Sequence, residues 1–283
     1  MNFISALKRI MTTLNEQIKD VADEKALGIN YYTFYRNAQE LANGTIKPSS
    51  KTGMIKTGFR PSDDPNELPY NVPGNGMLAS FLTMLSSQVL SKVTSDSVFY
   101  KTVQDLKKKM EFYAQSIMMG IKNYAIVERP ASEGGNAFAY EIDGFGKFRL
   151  YDDANLPSLV SLPYMGFLSA NDETYRSTRA YVLSTKNPFY FQREPFKGEG
   201  SSHTARDYIW PLALIVQILT SNSDDEIENC LYNLQMSAKD DLMHESFNVN
   251  NPNMITREWF AWANSFFGEM IVTLSKKKPE LLK

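Results

Sequence analysis

Cysteine is nearly absent: Cys230 stands alone in 283 residues. One thiol forms no internal disulfide and no cysteine metal cluster. It falls in the helical pattern "DDEIENCLYNLQ", where a buried apolar role is its default. Histidine is as scarce, with His203 and His244 alone. Transition-metal binding needs more ligands at close spacing, so no metal site is expected. No apolar run reaches the roughly 18 residues of a membrane span. A long one, "WPLALIVQIL", covers only residues 210–219. An excess of one charge is missing too. Lys+Arg number 30 against 32 Asp+Glu, a formal net charge of −2. Such a balance gives no general pull toward nucleic acid or an anionic membrane. Short clusters, "KKK" at 107–109 and 276–278, read as solvated helix faces or ends. "GFG" and "GEG" lack the longer glycine fingerprint and the Lys-Ser/Thr of a phosphate loop. No "GxSxG" nucleophile elbow occurs. At the N-terminus, Lys8 and Arg9 occupy the place of a signal peptide's apolar core, so a cytoplasmic location is expected.

What is present is apolar residue at helical spacing. The hydrophobic share is 43%, enough for a sizeable core, and no composition break forces a boundary, so one domain over 1–283 is expected. Phe3, Leu7, Ile10, Leu14 and Ile18 predict an amphipathic helix over 2–19. Met77, Phe81, Met84, Leu85 and Val89 predict another over 76–93. Phe99, Val103, Leu106, Met110, Tyr113, Ile117 and Ile121 predict a third over 96–124. Shorter helices are expected at 156–168, 172–184, 208–220, 224–237 and 256–275. Residues 26–75 read as a long loop, with turn signals at "NG" (43–44), "PSS" (48–50) and "PGNG" (73–76). "FAYEIDGFGKFRLY" reads as a small hairpin turning at Gly144 and Gly146, and 185–207 as a loop.

Four loop clusters gather polar chemistry on this helical frame. "GFRPSDD" holds Arg60, Asp63 and Asp64. "YEIDGFG…YDDAN" holds Glu141, Asp143, Asp152, Asp153 and Asn155. "GSSHT" holds His203, and "MHESFNVNN" holds His244 and Glu245. Each has a plain reading: Asp caps helices and turns, a lone His is usually a hydrogen-bonded structural residue, and Trp259 and Trp262 are simplest as core. The chemistry that uses the whole set is glycoside hydrolysis. It needs one carboxylic acid for the leaving oxygen and one carboxylate for water or the anomeric carbon. Asp, Asn, Arg and His suit sugar hydroxyls, and aromatic faces suit sugar C–H surfaces.

The ordered strings carry more. "GMIKTGFRPSDD", "AYEIDGFG", "DDANLPSLVSLPYMGF", "TRAYVLSTKNPFYF", "IWPLALIVQILTS", "MHESFNVNNP" and "TREWFAWANSFFGEMI" follow one another from about Gly53 to about Ile271. In that order they closely resemble glycoside hydrolase family 125, the DUF1237 or meiotically up-regulated gene 157 family. The segment from Phe3 to Asn43 is similar to a less distinctive part of the same family.

The resemblance implies an all-α (α/α)6 barrel-type toroid with small β-hairpins in its loops. It implies exo-acting removal of α-1,6-linked mannose with inversion, and no metal or organic cofactor. The "HES" glutamate, Glu245, would be the general base. The acid would be Asp64 or Asp63 of "RPSDD", with Asp64 favoured and Arg60 placed to counter one of them. Inversion needs carboxyls about 6.5–9.5 Å apart, to leave room for water. Arg60, Glu141, Asp143, Asp153, Asn155, His203 and His244 would bind mannose, with Trp259 or Trp262 as walls. Family members are longer on the N-terminal side, with a "WLRDS"-type motif not found here. "PNELPYNVPGNGML" and "GSSHT" also depart from the family pattern. The expectation is therefore an incomplete toroid: a truncated product, an incomplete gene model, or half of a split enzyme whose second chain supplies the missing helices. The alternative is an inactive member that binds carbohydrate or a partner.

Overall fold

The computed structural model describes residues 3–28 and 49–282. The "NG" turn at 43–44, the first residue of "PSS" and much of the Phe3–Asn43 segment lie outside them. Among the described residues, eight α-helices dominate, and the ten strands are at most six residues long. The chain forms two compact units. One comprises Met1–Arg60, Pro65–Ile126 and Ala139–Arg149; the other Pro61–Asp64, Val127–Phe138 and Leu150–Lys283.

The first unit contains α1 (Phe3–Gln17), α2 (Val21–Leu27), α3 (Val72–Met84) and α4 (Tyr100–Tyr124). Leu7, Met11 and Leu14 of α1 meet Val103, Leu106, Met110 and Tyr113 of α4 in one apolar core. The 3–4 spacing of both sets explains why these segments are helices. The face of α1 is turned from the expected one: Met11 is buried, while Phe3 and Ile10 are exposed. On α3 the difference is larger. Its buried face is Gly76, Ala79 and Leu82, and Phe81 and Met84 are exposed. Small residues let the helix backbone approach its neighbours closely, which large side chains would prevent.

"PGNG" is not a turn. It opens α3, because Asn71 accepts the Gly74 N–H at 2.8 Å as N-cap and Pro73 sits in the first turn, where it needs no donor. The helix then changes to a π turn at Leu85–Val89 and a 3₁₀ turn at Leu90–Lys92. Hydroxyls of Thr83, Ser87 and Ser91 bond back to carbonyls four residues earlier, competing with the regular ladder there. A three-stranded sheet completes this unit, in the order β1 (Tyr70–Asn71), β4 (Glu141–Ile142), β5 (Phe148–Arg149), all antiparallel. The turn from β4 to β5 puts Gly144 and Gly146 at positive φ. Two further short strands precede β4 in the chain, β2 (Ile126–Val127) and β3 (Ala137–Phe138), the latter belonging to the second unit.

The second unit is built on α5 (Glu173–Val182), α6 (Pro211–Leu219), α7 (Asp224–Ser237) and α8 (Ala261–Lys277). Eight of the nine residues of α6, Pro211 to Ile218, are buried, so it is apolar all round and central. α8 turns Ala263, Phe266, Met270 and Leu274 inward. Residues 185–207 are not a plain loop: β6 (Tyr190–Arg193) pairs antiparallel with β7 (Phe196–Glu199). A second sheet runs β10 (Asn251–Thr256), β9 (Ser246–Asn248), β8 (Tyr208–Ile209).

No helix forms at 156–168. There the Asp152 carboxylate takes the N–H groups of Leu159 and Val160 at 2.8 and 3.0 Å, and Ser161 Oγ takes that of Ser158. Side chains satisfy the donors that a helix would use. The last helix starts at Ala261 rather than 256, because β10 runs to Thr256 and Arg257 has φ 44°.

Candidate active site

Asp64 lies in the short segment Pro61–Asp64 that belongs to the second unit. Its Oδ2 accepts from Ser62 Oγ at 3.2 Å and from Ser202 Oγ at 3.3 Å. Its Oδ1 lies 3.2 Å from His203 Nδ1, and the two side chains are 25% and 29% exposed. Asp63 differs: it is exposed, and its φ of 68° turns the backbone there into the left-handed region. Asp and Asn tolerate that conformation better than other side chains. Of the pair, Asp64 has the partners.

The loop that presents Ser202 and His203 is fixed from behind. Ser201 Oγ donates to Asp153 Oδ2 at 3.0 Å and accepts the His203 N–H at 3.1 Å. Asn155 Nδ2 donates to Asp153 Oδ1 at 2.8 Å and reaches Ser201 Oγ at 3.3 Å. Asp153 and Asn155 are buried and tie this loop in place.

Two further buried carboxylates, Asp152 and Glu199, carry charge relationships with Asp153. Burial pushes Asp152 up to about 7, against the pull of the N–H groups of Leu159 and Val160. Burial, with Asp152 and Asp153 nearby, pushes Glu199 well above the usual carboxylate range. Glu199 lies in "GEG", a string whose glycines draw attention only as a phosphate loop.

Glu245 precedes β9. Its backbone N–H donates to the Thr256 carbonyl at 3.3 Å. Its side chain is 6% exposed, and Arg257 Nε lies 2.9 Å from Oε1. The Arg257 guanidinium stands over the Phe260 ring, 5.9 Å from its centre. Rings continue from there: Phe260 to Trp262 at 6.2 Å, Phe260 to Trp210 at 6.1 Å, and Trp210 to His203 at 6.2 Å. A row of aromatic contacts thus runs from the Asp64 partner to the Glu245 partner inside one unit. Trp210 is buried, with Nε1 donating to Thr204 Oγ1 at 2.9 Å. Trp262 is 38% exposed and Trp259 69% exposed, so neither is core.

The remaining expected residues make the following contacts within the protein. His244 is buried, with Nδ1 and Nε2 each 2.9 Å from a backbone carbonyl, of Glu258 and Lys239 respectively. Its ring clamps two loops together. Arg60, Glu141 and Asp143 lie in the first unit. Arg60 Nε meets Glu141 Oε1 at 2.7 Å, and Glu141 Oε2 accepts the N–H groups of Glu67 and Leu68 at 2.8 and 2.9 Å. Arg60 also reaches Glu67 at 3.3 Å. Asp143 Oδ1 accepts the N–H groups of Phe145 and Lys147, closing the β4–β5 turn.

The sequence did not single out Ser201, Ser202, Trp210, Phe260 or Arg257. Each lies within a motif string, but nothing in a string distinguishes a residue that touches a carboxylate from its neighbours.

A family model described as metal-independent alpha-mannosidase, GH125, matches residues 1–272. The meiotically up-regulated gene 157 protein of Schizosaccharomyces pombe is 37% identical over 294 residues, covering 100% of this chain and 55% of that protein. A Streptococcus pneumoniae structure from a family of metal-independent alpha mannosidases, a non-productive substrate complex with alpha-1,6-mannobiose, superposes with a TM-score of 0.84 at 34% identity. That match covers 96% of this chain and 62% of the other. The chain spans little more than half the length of these relatives. It belongs to glycoside hydrolase family 125, the metal-independent alpha-mannosidases.

Proposed function

We propose that this chain carries the catalytic carboxylates of an exo-acting α-1,6-mannosidase that inverts configuration, with Asp64 as general acid and Glu245 as general base. The observation that carries the reading is the contrast between two carboxylates of one compact unit. Asp64 sits among groups that hold and pass protons, two hydroxyls and an imidazole. Glu245 sits nearly buried, with the Arg257 guanidinium 2.9 Å from its Oε1. Water would attack the anomeric carbon while Glu245 takes its proton, and Asp64 would give a proton to the leaving oxygen. His203 would orient Asp64 and meet a sugar hydroxyl with its half-exposed ring. Trp262 and Trp259, the exposed aromatics near this end of the unit, supply apolar walls for mannose.

The helices are read as part of an (α/α)6 toroid. The Schizosaccharomyces pombe relative and the Streptococcus pneumoniae structure are both longer than this chain, which supports a toroid completed by helices beyond these residues. It also keeps a second reading in play: a member that binds mannose-containing glycan without turning it over.

Incubation with α-1,6-mannobiose separates the two. The wild-type chain is expected to release mannose that appears first as the β anomer by proton NMR. Glu245→Gln and Asp64→Asn are each expected to lower kcat by about 10²-fold or more, the scale of a lost general acid or base. Binding by calorimetry without release, unchanged by either substitution, would favour the second reading.

A further inference from the structure

Arg257 is the one group among the described residues that pairs with the Glu245 carboxylate, Nε lying 2.9 Å from Oε1. A carboxylate taken out of water stays ionised only where a cation or donors replace its hydration. Here the replacement comes from a single side chain, and Oε2 forms no hydrogen bond among the described residues.

The backbone is arranged for this contact. β10 ends at Thr256, whose carbonyl holds the Glu245 N–H. The next residue, Arg257, has φ 44°, a conformation that a long side chain adopts only at a cost. Residues held this way cluster where function needs them. The strained turn lets the Arg257 side chain double back to Glu245, with its guanidinium over Phe260 at 5.9 Å. Two contacts therefore fix the guanidinium, one to a charge and one to a ring. The arm itself is 59% exposed, so small solutes reach it from water.

We propose that Arg257 is the positioning residue of the base. This role rests on the reading of Glu245 as that base. Arg257 engages Oε1, holds Glu245 in one rotamer, and thereby leaves Oε2 as the atom that takes the proton. In the step itself, one O–H bond of water breaks. Its electron pair becomes the bond to the anomeric carbon, and its proton goes to Oε2. The glycosidic C–O bond breaks toward the leaving oxygen, which receives the Asp64 proton. Arg257 exchanges no proton and touches no sugar atom.

The test uses the full chain with α-1,6-mannobiose and compares wild type, Arg257→Ala, Arg257→Lys and Glu245→Gln. Arg257→Ala is expected to lose about tenfold or more in kcat, part of what a general base contributes, with KM within about twofold. Guanidinium ion at non-denaturing concentration is expected to restore part of that kcat, and Arg257→Lys to lie between Ala and wild type. Guanidinium is expected to leave Glu245→Gln inactive. Wild-type kcat in Arg257→Ala overturns the role. So does a loss in a folded Arg257→Ala that neither guanidinium nor lysine relieves. In both cases the base reading survives, provided Glu245→Gln is inactive. Turnover by Glu245→Gln at the wild-type rate, or no turnover by wild type, removes the base reading and this role with it. Should Arg257→Ala not fold, Arg257→Lys decides: a lower kcat at unchanged KM supports the role, and a wild-type kcat overturns it.

Discussion

Glu141 and Glu245 are both glutamates beside an arginine, and their surroundings separate them. Glu141 has both oxygens engaged, one by Arg60 and the other by two backbone N–H groups. Glu245 has one engaged oxygen, and its arginine reaches into solvent. A fully satisfied carboxylate holds structure, and a half-satisfied one can accept a proton. The Arg60–Glu141 pair is buried, with side chains 4% and 0% exposed. Removing one partner from such a pair typically costs about 3–5 kcal/mol, because a charge is left behind. Glu141→Ala is therefore expected to destabilise the protein by about that amount in a denaturant titration. An unchanged midpoint would return Glu141 to the list of candidate sugar ligands. The sequence could not separate the two glutamates, since "YEID" and "HESF" both place a carboxylate in a polar, aromatic loop.

Among the elements, helices with one large apolar stripe were legible and helices with small buried faces were not. α4 follows its stripe from Val103 to Ile121, every member buried. α3 buries Gly76 and Ala79 instead of Phe81, and periodicity of large residues points to the wrong side of such a helix. The missing helix at 156–168 and the late start of α8 share another cause: side-chain caps and a left-handed residue, neither of which periodicity registers. The site divides the same way. Ordered motifs led to Asp64, His203 and Glu245, whereas Arg257 and Ser202 depend on contacts that only folding creates. Close backbone approach is equally invisible in sequence. At Gly120 of α4, a Cβ would come within 2.5 Å of the Thr52 carbonyl oxygen and 2.9 Å of Met54 Cγ. Gly120→Ala would ordinarily favour a helix, but here it must push α4 away from residues 52–54. The expected outcome is a loss of about 1–3 kcal/mol, the usual cost of overpacking, read as a lower Tm. A raised Tm would mean that the 52–54 segment yields.

At the scale of the whole molecule, the buried carboxylates Asp152 and Glu199 tie stability to pH with a definite sign. Both have folded-state affinities for the proton above those of an unfolded chain. Their contribution is therefore fully present below the unfolded carboxylate range, near 4. It is lost as pH rises toward the folded value, about 7 for Asp152. Within that window each group lowers unfolding free energy by up to about 1.4 kcal/mol per pH unit, because the unfolded chain releases a proton that the fold retains. Glu199→Gln removes one such group and keeps an amide oxygen for Asn187 Nδ2, which donates to Oε1 at 3.0 Å. The variant is expected to match wild type near pH 5 and to exceed it near pH 8, in urea titrations at both values. Asp152→Asn should behave differently. Both Asp152 oxygens accept backbone N–H groups, and the Asn amide nitrogen cannot accept one. A loss of about 1–3 kcal/mol at both pH values, from the orphaned donor, is the expected result. If Glu199→Gln tracked wild type from pH 5 to pH 8, Glu199 would be ionised in the fold, and burial would not dominate its environment.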